Sequence, residues 1–354
     1  MRILMILILV VRVETLNRLL IFQVGPSYGS LTLQGYLRTK GVQVSVRTIN
    51  RVLKESNPTA FEARKRDILD RTNPVPYYAP RFGYKGHIDQ NEKLVRYGVL
   101  HAVLRDGYSG YIESWITLPS KNPIKLYSQF YRPVLVNTGI FDQLRVDMGK
   151  EWILILFIQE LLKRQRQNQD RAAHMKTTSK RNLTIERVWP EVNARVNYPI
   201  KRILVDLEER GVFDMTNEHV MFWVSWFTCE VAKVGMERFV ASWNSHKIKG
   251  KAGNGIPSHR RQQTNFLSPL RECHVPNEDT AVALFEAQGG NLQRQWRVGV
   301  DQLSSNKPQQ QMRERLFNRK YSFENIFTEV VRGNPRPFKR GLKYFMKLTS
   351  ALAS

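Results

Sequence analysis

The sequence predicts an α/β protein in which a mixed sheet carries helices on its faces, with a helix-turn-helix before the sheet and a mostly helical region after it. Three observations support this class. β-like runs and helical segments follow in the order β-β-β-α-β-α-α between residues 86 and 211. Two short helical patterns precede them, and most later segments have helical spacing. Hydrophobic residues make up 42% of the chain, enough for a packed core.

Changes in composition divide the 354 residues into four predicted regions. A cluster of prolines ending at Pro80 marks a boundary near residue 76. The regions are an apolar N-terminal segment (1–24), a helix-turn-helix and linker (25–75), a central α/β core (76–250), and a basic linker with a helical C-terminal region (251–354).

The N-terminal segment begins with the apolar run MRILMILILVVRV, flanked by Arg2 and Arg12. It resembles the hydrophobic part of a signal peptide, but no small-residue cleavage site follows. A bilayer needs about 20 apolar residues, so the run is too short to cross one. We therefore expect a core segment or a wrongly assigned start, with no membrane anchor, and a signal peptide stays open as the alternative.

Residues 25–56 carry two helical patterns joined by a turn that contains Gly41. Leu33, Tyr36 and Leu37 share one face of the first helix, and Ser45 is a good N-cap for the second. This arrangement predicts a DNA-reading helix-turn-helix, and an ordinary helical hairpin with a solvated basic face is the alternative. The predicted DNA contacts on the outer face of the second helix are Arg47, Asn50, Arg51 and Lys54.

The central region begins with the strand-like GHIDQNEKL. Two apolar runs around the turn cluster 106–110 predict a β-hairpin, and residues 123–139 predict a helix despite Pro133. QLRVDMG is a short strand, and a buried helix is expected from Glu151 to Arg166. A polar, basic stretch (163–182) and further helices follow, with a bend expected at Pro190 because proline removes a helical hydrogen bond.

The formal net charge is +24, which predicts a polyanionic partner, with nucleic acid first and an anionic membrane second. The two cysteines exclude a disulfide framework and a CxxC zinc motif. Cys273 and His274 are sequence neighbours, a poor arrangement for two ligands of one zinc, so no structural zinc is expected. A reducing compartment is the expected location.

Three acidic residues lie where strand ends and a helix would bring them together: Asp89, Asp147 and Glu186. Three ionised carboxylates repel one another, and a divalent cation relieves that repulsion. Oxygen-only ligands select Mg²⁺ or Mn²⁺, and two such ions suit in-line phosphoryl transfer. The chain holds 31 acidic residues, so the alternative is three surface carboxylates at strand ends.

Four blocks in order, GHIDQN, RDGYSGYIESWITLPSKN, LRVDMGKEW and SKRNLTIERVWPEVNARVNYP, closely resemble the integrase core of retroviral-type integrases and their transposon relatives. The resemblance is nearest to the transposon-related integrase-core-domain-containing proteins of animals. It implies a ribonuclease H-like fold with a mixed five-stranded sheet. It also implies a DDE carboxylate triad (Asp89, Asp147 and Glu186) that holds two Mg²⁺ ions during DNA strand cleavage and 3′-end transfer.

The sequence departs from the family in three places. The gap between the second and third acids is longer than usual, with the extra residues around 163–180. The retroviral zinc module is absent, and a helix-turn-helix stands in its place. The polar run that precedes the glutamate in many relatives is replaced here by residues 181–184 (RNLT), which puts in question how the glutamate helix contacts DNA.

Basic residues near the third acid and in the Gly-rich linker are the remaining predicted phosphate contacts: Lys180, Arg181, Arg187, Lys247, Lys249 and Lys251. The resemblance further implies a homo-oligomer and, through DNA, the nucleus. Three alternatives stay open: a domesticated DNA-binding protein without activity, a metal-dependent nuclease without strand transfer, and a membrane-bound basic protein.

Overall fold

The computed structural model describes residues 24–25, 28–56, 58–66, 77–177, 183–248, 255–293 and 298–354. The predicted N-terminal segment lies almost wholly outside these ranges. So do four of the predicted phosphate contacts: Lys180, Arg181, Lys249 and Lys251.

The centre of the protein is one five-stranded sheet with the strand order β3-β2-β1-β4-β5. The strands β1 to β3 pair antiparallel, whereas β4 and β5 run parallel to β1. The predicted mixed sheet, with the first strand central and the fourth beside it, is confirmed. The strands are β1 Gly86–Leu94, β2 Val99–Asp106, β3 Ile112–Leu118, β4 Leu144–Val146 and β5 His174–Lys176.

Helices cover both faces of the sheet, precede it and follow it. Helix α4 (residues 123–137) has a π-helical middle, Leu126–Tyr131. Helix α7 (residues 189–209) likewise contains the π-helical turn Asn193–Asn197. The other helices are α1 Ser30–Thr39, α2 Val46–Ser56, α3 Pro58–Arg66, α5 Ile153–Leu161, α6 Leu183–Glu186, α8 Glu218–Ser245, α9 Pro257–Thr264, α10 Glu278–Ala287, α11 Lys307–Lys320, α12 Phe323–Val331 and α13 Arg336–Ala353.

The alternation of side chains along the strands gives the sheet two separate hydrophobic cores. Ile88, Leu104 and Leu144 face one side, where they pack with α4 and α5. Val103 and Ile112 face the other side, where they pack with α7, α8 and the C-terminal helices. Within the described residues, no helix is long and apolar enough to cross a membrane.

The hairpin turn between β2 and β3 forms as predicted and is held by Asp106. Its buried carboxylate accepts hydrogen bonds from the backbone amides of Gly83, Tyr108 and Ser109 at 3.0, 3.0 and 2.6 Å. Burial raises the pKa of Asp106 to about 6, although the bonds from Ser109 lower it. These bonds satisfy a carboxylate that would be costly to bury alone.

The two N-terminal helices have the predicted pattern, and α1 packs on helix α8 of the core. Leu33, Tyr36 and Leu37 are buried, and the Ser45 hydroxyl accepts from the Thr48 amide at 3.1 Å. Gly35 lies against α8 so closely that a Cβ there would sit 2.5 Å from the Ser242 carbonyl oxygen. Glycine is therefore required for this close approach.

The structure differs from the sequence-based expectations at three elements. β5 lies in the polar, basic stretch (163–182), where no strand was predicted. This short edge strand forms by pairing with β4 and has almost no apolar residues, so its sequence gives no strand signal. Helix α9 lies in a stretch predicted as loop. The sequence pattern near the C-terminus indicates a final pair of helical segments, whereas the structure has three helices there, since Ser322 caps a new start and Gly333, at φ 83°, follows its end.

Candidate active site

Asp147 directly follows strand β4, which lies beside β1, the strand that carries Asp89. In the parallel β1–β4 pair, Gly86 aligns with Leu144 and His87 with Arg145. Continuing this register by two residues sets Asp147, one residue beyond β4, level with Asp89. Adjacent strands are about 4.8 Å apart, and residues at the same level of a parallel pair point to the same face. The strand pairing therefore brings two of the three predicted carboxylates together.

The carboxylate of Asp89 is held from both sides. Its Oδ2 accepts from the indole Nε1 of Trp189 at 2.9 Å, and its Oδ1 accepts from the Gln90 amide at 2.9 Å. Burial raises the pKa of Asp89 to about 6, and these two donors oppose that shift. The charges of Asp147 and Glu186 also contribute to the rise in this pKa. Both other predicted carboxylates therefore lie within the electrostatic range of Asp89.

Asp147 is held in the same way by a second indole. Its Oδ1 accepts from Trp152 Nε1 at 2.7 Å and from the Gly149 amide at 3.1 Å. Trp152 is fully buried at the start of the α5 region, so the carboxylate is anchored to the core just beyond the last residue of β4. The two aspartates thus each carry one buried indole donor.

Glu186 is the last residue of the short helix α6, which packs against β1. Ile185 is fully buried and anchors this helix, while Arg105 on β2 donates from Nη1 to the Thr184 carbonyl oxygen. Burial raises the pKa of Glu186. The helix breaks after Glu186 and resumes at Trp189 with Pro190 in its first turn, so the break lies just before the bend that was predicted at Pro190.

A buried amide network fixes the helix that carries Trp189. Asn91 on β1 bonds Asn193 and Asn197 of the π-helical turn at 2.9 and 3.0 Å. His101 on β2 bonds Asn197 at 2.9 Å and Thr117 at 2.8 Å. Burial lowers the pKa of His101 to about 4, so this histidine is neutral at physiological pH. The network ties α7 to the sheet directly beside the candidate carboxylates.

A fourth acid, Glu151, was missed as a site residue. Its side chain is 6% exposed, and it lies close enough to Asp147 for the charge of Asp147 to raise its pKa. Burial raises the pKa of Glu151, and Lys121, whose Nζ lies 3.9 Å away, lowers it. Its carboxylate also accepts from the Gln90 side chain. The only sequence signal was its position four residues after Asp147, in the same VDMGKEW stretch.

The donor set of this site suits hard divalent cations, because it consists of carboxylate oxygens without sulfur or imidazole. Burial is the largest cause of the raised pKa of Asp89, and the charges of Asp147 and Glu186 add to it. Across the described ranges, however, no three His, Cys, Asp or Glu side chains converge closely enough to hold a metal ion. The residue types fit Mg²⁺ or Mn²⁺, and their present separation does not form a closed cage.

The predicted DNA contacts that the structure describes fall in three places. On helix α2, Arg47, Arg51 and Lys54 are exposed and Asn50 is half-buried. Arg187 is exposed directly after Glu186. Lys247 is exposed two residues beyond the C-terminal end of α8, the end on which helix α1 packs.

A family model for the integrase core domain matches residues 80–259, just over half of the 354 residues. The matched span contains all five strands and the three candidate carboxylates. No curated protein matched the chain. The mixed sheet and the family match agree with the resemblance stated from the sequence blocks. The chain therefore belongs to the integrase core domain family.

Proposed function

We propose that this protein is a metal-dependent polynucleotidyl transferase that cleaves DNA and joins a 3′ end to a target DNA. The observation that carries the proposal is that the β1–β4 register sets Asp147 level with Asp89. The charge of Glu186 also raises the pKa of Asp89, so the third acid lies within its electrostatic range. Membership of the integrase core domain family supports the same reaction class.

Asp89, Asp147 and Glu186 are the residues that would hold two Mg²⁺ or Mn²⁺ ions. When bound, such ions stabilise the attacking and leaving oxygens of an in-line phosphoryl displacement. The indoles of Trp189 and Trp152 orient the two aspartates by one hydrogen bond each. Such outer donors commonly fix the direction of metal-binding carboxylates.

The DNA contacts are proposed in two groups. Helix α2 reads the duplex through Arg47, Asn50, Arg51 and Lys54, and the basic residues 180, 181, 187, 247, 249 and 251 neutralise backbone phosphates. The domain boundaries at residues 25, 76 and 251, a homo-oligomeric state and a nuclear location belong to the same proposal.

The test is a strand-transfer assay with a 5′-labelled duplex that carries the sequence flanking the gene, in Mg²⁺ or Mn²⁺. Wild-type protein should give joined products, and Asp147→Asn should give none while binding the duplex equally well. Metal-dependent nicking without joining in the wild type would identify a nuclease instead.

A second candidate is a DNA-binding protein that no longer carries out the reaction. One observation favours it: in the part of the chain that the structure describes, the acidic side chains do not converge into a cage. Tight, salt-sensitive binding by the wild type with no metal-dependent product would establish this second candidate.

A further inference from the structure

Three cations lie close together near the N-terminal ends of the parallel strands β1, β4 and β5. They are Lys85, which precedes β1, Arg145 in β4, and Arg171 in the loop before β5. The pKa of Lys85 is lowered to about 8, first by burial and then by the charges of Arg145 and Arg171. The pKa of Arg171 is also lowered, and burial is the largest cause. The three side chains therefore repel one another at close range.

None of these three cations forms an ion pair with any residue that the structure describes. Lys85 Nζ donates to the Tyr78 carbonyl oxygen at 2.6 Å. Arg145 and Arg171 share the neutral Gln143 side-chain oxygen, at 3.2 and 2.8 Å. The Asp142 carboxylate also acts on Arg171, and it is fully buried and paired with Arg81 at 2.6 Å.

Aromatic rings hold two of these cations, Arg171 and Lys85, in place. The Arg171 guanidinium lies 4.0 Å from the centre of the Tyr84 ring, and its Nη1 donates to the Tyr84 carbonyl oxygen at 2.7 Å. Lys85 Nζ lies 4.9 Å from the centre of the Tyr77 ring. Cationic side chains fixed in this way are already ordered, so binding an anion costs them little further conformational entropy.

The position of the cluster relates it to the candidate active site. Arg145 in β4 lies two residues before Asp147, which directly follows that strand, so continuing the alternation of the strand places both side chains on the same face of the sheet. Two residues along a strand span about 7 Å. This span matches about two nucleotide steps of a DNA strand, at roughly 3.4 Å of axial rise each.

We propose that Lys85, Arg145 and Arg171 form a binding subsite for backbone phosphates of the DNA strand that lies across the candidate carboxylates. The inference rests on the proposed function, because the bound polymer is the substrate of that reaction.

The test measures DNA affinity of the full-length protein by fluorescence anisotropy, with a labelled 30-base-pair duplex in EDTA over a salt series. The double variant Lys85→Gln/Arg171→Gln should weaken binding at least about tenfold and reduce the salt slope by about two, since each phosphate contact contributes about 0.9. The matched control is Arg315→Gln, an exposed arginine on α11, which should change neither quantity.

A second variant separates charge from structure. Arg171→Lys keeps the charge and loses the planar contact with Tyr84, so it should retain the salt slope of the wild type. If Arg171→Lys and the double variant lose the slope equally while both stay folded by circular dichroism, the residues act structurally and the subsite is refuted.

Three further outcomes distinguish failure of the subsite from failure of the proposed function. Wild-type affinity and slope in the double variant, with metal-dependent cleavage still lost in Asp147→Asn, would overturn the subsite and leave the transferase. A wild-type protein that neither binds nor cleaves DNA would overturn both. If inorganic phosphate binds the cluster but the double variant binds duplex normally, the subsite serves a free anion and the proposal is wrong.

Discussion

Asp89 on β1 and Asp147, directly after the neighbouring parallel strand β4, each accept a hydrogen bond from a buried indole. The two carboxylates are thus placed by the paired strands β1 and β4. The third acid, Glu186, depends on a four-residue helix held by Ile185 and by the Arg105 contact to Thr184. Substitution of an indole donor should therefore affect its aspartate, and substitution of Arg105 should affect Glu186.

The first prediction concerns the stability of the metal-free protein. The pKa of Asp89 is about 6 in the fold and 3.8 ordinarily, so the folded state binds more protons between these values. Stability should therefore fall as pH rises from about 4 to about 6 and stay reduced above that. Asp89→Asn should raise the free energy of unfolding at pH 7.5 by on the order of 2 kcal/mol, measured by urea denaturation.

The same substitution should have no stabilising effect at pH 4, where the wild-type carboxyl is protonated. Mg²⁺ should stabilise the wild type at pH 7.5 and leave Asp89→Asn unchanged. Equal stabilisation of both proteins by Mg²⁺ would show that the ion binds elsewhere.

The second prediction concerns the indole of Trp189. Trp189→Phe keeps an aromatic ring and removes the donor that lowers the pKa of Asp89. That pKa should rise, and the acid limb of the pH–rate profile should move to higher pH by about half a unit to one unit. Trp243→Phe is the matched control, because its indole bonds the Gly110 carbonyl oxygen instead. An equal displacement in both variants would point to a general loss of packing.

The third prediction concerns Arg105. Arg105→Gln removes the donor to the Thr184 carbonyl oxygen and frees the helix that carries Glu186. The rate of the chemical step should fall about tenfold or more, while DNA affinity in EDTA should stay within about twofold. Single-turnover kinetics with saturating enzyme separates the two quantities. A loss of affinity without a loss of rate contradicts a positioning role.

The fourth prediction concerns the docking of α1 on α8. Gly35→Ala places a Cβ against the backbone at Ser242 and His246, so the helices must move apart. The variant should lose about 1–3 kcal/mol of stability, measured by thermal unfolding. Gly29→Ala is the control, because a Cβ there meets nothing within 4 Å. An unchanged melting temperature in Gly35→Ala would mean that this contact is not tight in solution.

The sequence was sufficient to predict most of the sheet, because the apolar runs of β1 to β4 and the 106–110 turn cluster are local signals. It was not sufficient for β5, which has exposed residues and forms only by pairing with β4. Asp89 and Asp147 were predictable from their strand positions. The roles of Trp152, Trp189 and Glu151 were not, since side-chain hydrogen bonds across the fold leave no periodic pattern in the chain.

The basic cluster illustrates the same limit. Lys85, Arg145 and Arg171 are far apart in sequence, and the net charge of +24 indicated only that a polyanion would bind somewhere. Strand pairing and the loop before β5 bring them together, so three-dimensional placement was needed to recognise them as one cluster.

The most direct test of the central claim is to count Mn²⁺ ions bound to the protein–DNA complex by electron paramagnetic resonance. The wild type should bind two ions, and Asp89→Asn, Asp147→Asn and Glu186→Gln should each lose at least one, with duplex affinity in EDTA unchanged. The same number of bound ions in all four proteins would contradict a metal site made by these three carboxylates.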